Sequence, residues 1–178
     1  MRHGLTELNK QKKVNGEIDE PLASEGVKQA EEATSLLPKT IKHIYSSPLL
    51  RARQTAEIIN SKLKVPLSLT DELTEIHMGP KLAGKAWEEM EDGLNLKERH
   101  RSAKFDYSPY GGEAARGVKK RLISFLKKIN GKYRDNEVLL ITHGGMIRFF
   151  YLLDLGEVPY ETEKHISLLE FNLDKILR

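Results

Sequence analysis

Apolar residues along this chain alternate between helical and extended spacing, and the alternation outlines the fold. Val27, Ala30, Ala33, Leu36 and Leu37 recur at helical intervals until Pro38 stops them. Ile41 to Tyr45 predicts a short strand running into Ser46-Ser47-Pro48, and Pro48 suits the first turn of a helix carrying Leu49, Ala52, Ala56, Ile59 and Leu63. Val65 to Leu69 predicts a second strand. Residues 84–103 are charged and weakly periodic, which predicts one or two surface helices around Trp87. Tyr107 to Gly112 contains Pro109 and paired glycines and reads as a loop. A long amphipathic helix follows, with Val118, Leu122, Phe125, Leu126 and Ile129 on one face. Val138 to Ile141 is a continuous apolar run, the mark of a buried parallel strand. Met146 to Leu153 predicts a helix, and Ile166 to Leu173 a closing strand. Strands and helices in turn argue for an α/β sandwich, and the absence of repeats or low-complexity linkers for one domain over residues 1–178.

Composition narrows the function classes. Hydrophobic residues make up only 39% of the chain, yet they fall in periodic blocks, so a folded globule of 178 residues is expected. The net charge of +3 is scattered through mixed signs, which points away from nucleic acid and toward a small anionic substrate. With no cysteine, disulfides, thiolate metal sites and thiol catalysis are excluded. No signal peptide and no apolar run near membrane-spanning length is evident, so a soluble, cytoplasmic protein without membrane contact is expected. A small phosphorylated substrate is the expected partner, with a homodimer as the candidate assembly.

The chemistry gathers at two His-Gly pairs. Arg2-His3-Gly4 opens the chain, and His143-Gly144 follows the strand 138–141. In open α/β sheets ligands collect at the carboxyl ends of parallel strands, where loops meet helix N-termini. His143 and Arg51 both fall at such ends, and Arg2-His3 would too if a strand preceded them. A phosphate dianion asks for an in-line acceptor and fixed positive charge around its equatorial oxygens. Imidazoles and guanidinium groups beside glycines supply both. Singly, each residue has a plainer explanation: a frayed terminal histidine, a packed core histidine, a solvated arginine. A two-histidine metal site is disfavoured, because no carboxylate at ligand spacing accompanies the pair.

Several blocks together resemble the histidine phosphatase superfamily, in its phosphoglycerate mutase-like branch. They are Arg2-His3-Gly4-Leu5-Thr6-Glu7-Leu8-Asn9, Gly16, Asp19-Glu20-Pro21-Leu22, Ser46-Ser47-Pro48-Leu49-Leu50-Arg51-Ala52-Arg53, Leu73-Thr74-Glu75, Gly111-Gly112-Glu113 and Thr142-His143-Gly144-Gly145. They come in the family's order across most of the chain. The resemblance implies a three-layer α/β sandwich with a mostly parallel central sheet. It implies His3 as nucleophile, with Arg2, Arg51 and His143 holding the equatorial oxygens. Glu75 would protonate the leaving alkoxide and then activate water. Asn9, Thr6, Gly16, Gly144 and Gly145 would complete the substrate-binding set. It also implies an apolar strand leading into Arg2-His3, so the first strand is expected to be cut short before Met1. Leu5 stands where the family usually carries Glu or Gln, and Gly79 to Gly84 lacks the Trp-Glu-Gly common among phosphatase members.

Phosphatase and mutase members share the phosphohistidine step. Mutases are usually longer, with a basic insertion before the Gly-Gly-Glu block. Here only residues 76–112 separate Glu75 from Glu113, so any lid is small and water entry is favoured. The expected activity is metal-independent hydrolysis of a small phosphorylated metabolite, without a cofactor. The first alternative is a phosphoglycerate mutase using a 2,3-bisphosphoglycerate primer, with Lys97, Arg99, Arg101 and Lys104 as candidate contacts for a second acidic group. The other is a phosphate-binding module without turnover.

Overall fold

Parallel strands β1 (Ile41–Ser46), β2 (Leu67–Leu69) and β3 (Glu137–Ile141) form a sheet of order β2-β1-β3 in the computed structural model, which describes residues 1–133, 136–160 and 164–178. Ile44 pairs with Leu67 on one side and Leu139 on the other; Tyr45 pairs with Leu140 and Ser46 with Ile141. The helices are α1 (Glu7–Lys10), α2 (Ser24–Ala33), α3 (Leu50–Leu63), α4 (Gly93–Arg101), α5 (Ala115–Lys132), α6 (Gly144–Leu155) and α7 (Leu173–Ile176).

The period of two along a strand explains why there are two cores. Leu139 and Ile141 point to one face, where they join Ile41, Ile44 and Met1 against Ala52, Ala56 and Ile59 of α3. Val138 and Leu140 point to the other, packing with Tyr45 against Val118, Leu122, Phe125, Leu126 and Ile129 of α5 and Phe149 and Phe150 of α6. Helices therefore cover both faces of a parallel sheet, the three-layer arrangement that the sequence predicts. Strand β3 carries apolar residues on both faces because both are covered.

Element ends differ in places from the sequence reading. Strand β2 begins at Leu67, after Pro66, rather than at Val65. The charged stretch 84–103 resolves into a short 3₁₀ turn at Trp87–Glu89 and helix α4. The closing strand expected over 166–173 does not form: those residues are irregular as far as Asn172, whose side chain caps α7 by accepting from the Lys175 amide. A strand needs a ladder partner, and among the described residues the segment beside it, Met1–His3, offers it one backbone–backbone bond, from the Ile166 amide to the Arg2 carbonyl at 3.1 Å. Ile166 also has a left-handed φ of 64°, which ends any extended run there. Among the described residues, the pairing of Arg2 with Thr142 is an isolated one-residue parallel bridge. No helix among the described residues is long and apolar enough to cross a membrane.

Candidate active site

Thr142, the residue after β3, is the hub that sets the site's geometry. Its amide donates to the Met1 carbonyl at 3.0 Å, its carbonyl accepts from the His3 amide at 3.0 Å, and its hydroxyl donates to the Leu73 carbonyl at 2.7 Å. One buried threonine thus ties together the segment carrying His3, the turn before Glu75, and His143. A second tie runs from the Gly4 amide to Thr55 Oγ1 at 3.1 Å, and the Thr55 hydroxyl donates to the Arg51 carbonyl at 2.7 Å. That links the first histidine to α3.

The two histidines meet. Their ring centroids lie 5.0 Å apart, and both side chains are buried. His3 Nδ1 is 2.7 Å from the Gly4 carbonyl, an oxygen that only accepts, so Nδ1 carries the hydrogen. In the neutral ring the lone pair is then on Nε2. Burial, followed by the charges of Arg51 and Arg2, holds His3 well below its ordinary pKa; burial and Arg51 do the same to His143. Both nitrogens of His143 and Nε of Arg51 are buried without a hydrogen-bond partner among the described residues. Orphaned buried polar atoms gathered in one spot call for a partner, whether a polar ligand or an ordered water.

A cleft of about 160 Å³ opens beside these groups, and Arg2, His3, Asn9, Gly16, Glu75, Gly144 and Gly145 line it. Arg2 packs over the first residue of α6, where a Cβ on Gly144 would sit 3.3 Å from its Cζ. Asn9 Nδ2 donates to Asn15 Oδ1 at 2.5 Å, which orients its carboxamide on the cleft wall. Glu75 Oε1 accepts from the Ile76 amide at 2.9 Å and Oε2 from the Gly145 amide at 3.3 Å. Arg121 braces this turn from behind, donating to the Glu72 carbonyl at 2.7 Å and pairing with Glu113 at 2.9 Å.

Some expected residues hold other positions. Arg51 and His143 are fully buried behind the lining, and the two terminal nitrogens of Arg51 donate to the carbonyls of Ile18 (2.6 Å) and Gly16 (3.0 Å). Gly16 therefore serves here as an anchor for Arg51. Thr6 is buried off the cleft, where its hydroxyl accepts from the Asn9 amide as the cap of α1 and from Asn15 Nδ2. The Gly145 amide is engaged by Glu75 rather than open to the cleft. Lys97, Arg99, Arg101 and Lys104 do not line the cleft: Lys97 pairs with Glu88, Arg101 with Glu98, and Arg99 Nε donates to the Lys104 carbonyl.

Other lining residues escaped the sequence reading: Arg148, His100, Trp87, Lys13 and Asn15. Arg148 had a usable signal, since it sits four residues after Gly144 and so on the same helical face. His165 packs on His3 with ring centroids 5.3 Å apart, and its Nδ1 lies 2.9 Å from the His3 carbonyl. His77, by contrast, is half exposed and faces Glu17 at 3.6 Å. No group of three or more His, Cys, Asp or Glu among the described residues is arranged to hold a metal ion.

Comparison with known proteins settles what this arrangement belongs to. The family model for the histidine phosphatase superfamily, branch 1, matches residues 1–173. The chain is a member of that superfamily. Phosphoglycerate mutase-like protein 4 of Arabidopsis thaliana is 34% identical over 156 residues, covering 85% of this chain and 67% of that one. A metal-independent phosphoserine phosphatase of the same plant is 32% identical over 160 residues, covering 85% and 66%. This histidine phosphatase domain thus spans about two thirds of the length of those relatives. Among solved structures, a mycobacterial glucosyl-3-phosphoglycerate phosphatase superposes with a TM-score of 0.76 at 26% identity, over 86% of this chain and 78% of that one. Phosphatases and mutase-like proteins therefore both stand among its relatives.

Proposed function

We propose that this histidine phosphatase domain hydrolyses small phosphomonoesters without a metal ion, through a phosphohistidine on His3. The observation that carries the proposal is the buried pair of imidazoles 5.0 Å apart, with Arg2 and Arg51 beside them. Proton placement supports His3 as the nucleophile. With its hydrogen on Nδ1, the unprotonated Nε2 is the nitrogen that attacks phosphorus. Arg2, Arg51 Nε and a ring N–H of His143 supply donors for the equatorial oxygens; Arg is suited to this because its planar fork addresses an oxyanion directionally. Positive charge already in place needs no reorganisation as negative charge moves toward the leaving oxygen.

The proposed steps balance as follows. His3 Nε2 forms a bond to phosphorus while the ester P–O bond breaks, and the leaving alkoxide takes a proton from the Glu75 carboxyl. The freed alcohol departs. Water then loses a proton to the Glu75 carboxylate and attacks phosphorus, and the N–P bond breaks to release inorganic phosphate and neutral His3. Asn9 lines the cleft wall with one Nδ2 hydrogen given to Asn15, and its second Nδ2 hydrogen is the neutral donor it would add. Hydrolysis is favoured over mutase chemistry by the short stretch between Glu75 and Glu113 and by its outward-facing basic residues.

The test is incubation with 3-phosphoglycerate, with and without 2,3-bisphosphoglycerate, reading both inorganic phosphate and the 2-isomer. Primer-independent phosphate release is expected, together with acid-labile phosphate trapped on His3 by rapid quench. Primer-dependent isomer without net phosphate would make the protein a mutase. Absence of any trapped phosphoenzyme would leave only a binding module.

A further inference from the structure

His165 is a half-buried imidazole that the phosphate chemistry does not use. It stands in a turn, off the lining of the cleft, yet it meets the nucleophile twice. Its Nδ1 lies 2.9 Å from the His3 carbonyl, which only accepts, so Nδ1 carries the hydrogen and donates it. Its ring also meets the His3 ring edge-on, with centroids 5.3 Å apart and planes at 61°. The His3 amide is held by the Thr142 carbonyl, and its Nδ1 by the Gly4 carbonyl. Those bonds anchor the backbone and one ring nitrogen. The ring contact from His165 resists the motion that remains, a swing of the imidazole about its bond to Gly4, and so bears on where Nε2 points. Burial holds His165 down to about 4, so near neutral pH it is a neutral donor and adds no charge beside the phosphate.

The turn that presents His165 is strained. Ile166 has a left-handed φ of 64°, which a β-branched residue keeps only where its surroundings over-determine it. Two contacts do so here: the Ile166 amide donates to the Arg2 carbonyl at 3.1 Å, and its side chain packs on the core that faces α3. Neighbouring groups of one turn, the His165 ring and the Ile166 amide, thus take the His3 and Arg2 carbonyls side by side. A bond to a backbone carbonyl serves stability by itself. Strained backbone that persists against a reacting residue, and adds a ring contact to that bond, points to a role in holding the residue in place.

Resting on the phosphatase reading above, we propose that His165, presented by the strained turn at Ile166, is a positioning residue that fixes the direction in which His3 Nε2 meets phosphorus. Two variants separate its contacts. His165→Asn keeps an N–H for the His3 carbonyl and loses the ring contact; His165→Ala loses both. Calorimetry measures the affinity for inorganic phosphate, and rapid quench the rate of phosphohistidine formation from p-nitrophenyl phosphate, whose leaving group needs no proton from Glu75. Phosphate affinity is expected to stay within about threefold of wild type, because Arg2, Arg51 and His143 are untouched. Phosphohistidine formation is expected to slow ~10²-fold in His165→Ala, the cost of a misplacement near 1 Å, and ~10-fold in His165→Asn. A formation rate in His165→Asn within about threefold of wild type overturns the proposal, whether or not His165→Ala folds. So does a loss of rate matched by an equal loss of phosphate affinity, since His165 would then support the whole site rather than aim one nitrogen. A wild type that forms no phosphohistidine rejects the phosphatase reading instead. The positioning role is then decided in the resting protein by the ring nitrogen shifts of His3, expected to show the hydrogen on Nδ1 in the wild type and a mixture of tautomers in His165→Asn; an unchanged tautomer there overturns it.

Discussion

Gly145→Ala places a methyl group against the proposed acid–base. A Cβ built on Gly145 lies 2.5 Å from Glu75 Oε1 and 2.6 Å from Ile76 Cδ1, both far ends of flexible side chains. Ordinary contact begins near 3.4 Å, so the carboxylate must retreat by about 0.9 Å and its bond from the Gly145 amide, now 3.3 Å, is lost. A misplacement near 1 Å costs ~10²-fold in rate, within the ~10²–10⁴-fold range of acid–base catalysis. Stability should fall by ~0–2.5 kcal/mol, because ~1–3 kcal/mol of crowding is offset in part by the ~0.5–1 kcal/mol that alanine gains over glycine in a helix. The two chemical steps separate by leaving group. An alkyl phosphate needs the proton from Glu75, so its turnover should drop ~10²-fold. p-Nitrophenolate leaves without that proton, so a rapid-quench burst should persist, followed by slow steady-state turnover as phosphohistidine waits for activated water. Thermal denaturation checks that the variant folds. Alkyl phosphate turnover within about threefold of wild type would refute the reasoning, as would loss of burst and steady state in equal measure.

Further predictions concern what supports the site. Burial holds His100 down to about 3 and His165 down to about 4, each below the 6.5 of an unfolded histidine. The unfolded chain therefore binds more protons over that window; the stabilisation is complete above pH 6.5 and is lost as pH falls toward the folded values. Each ring costs ~2 kcal/mol at pH 5 relative to pH 8, and urea titrations at the two pH values should differ by at least that much; a flat profile would contradict the burial of these rings. Gly26→Ala sets a Cβ 2.1 Å from the Leu5 carbonyl, a backbone atom that cannot step aside, so a loss of ~2–3 kcal/mol is expected by chemical denaturation, and a wild-type midpoint would disprove the close approach. Arg121→Met removes the brace shared by the Glu72 carbonyl and Glu113; kcat for alkyl phosphates should fall ~10-fold with KM little changed, and an altered KM alone would show that Arg121 acts on binding instead.

The sheet and its helices were legible because spacing is a local property. Val138 to Ile141 reads as buried on both faces; Leu139 and Ile141 are buried on the α3 side, while Val138 and Leu140 are half-buried on the α5 side. The five-residue face from Val118 to Ile129 is the buried face of α5. Where the sequence misled, a partner was at fault: 166–171 has strand-like residues, but a strand exists only with a neighbour to bond, and among the described residues Met1–His3 supplies one backbone bond. Arg2, His3, Asn9, Glu75, Gly144 and Gly145, from separate stretches of sequence, line one cleft.

By itself the sequence determined the alternation of strand and helix, the family, and the residue types that gather at the cleft, because periodicity and motif are written along the chain. Tertiary structure alone decided which hydrogen His3 carries, through a carbonyl that only accepts, and which nitrogen of Arg51 stays available, through the carbonyls of Ile18 and Gly16. It also brought Arg148 and His100 to one wall while turning Lys97 and Arg101 outward. Those outcomes depend on distances between segments remote in sequence, and hydrogen bonding and desolvation act through distance in space.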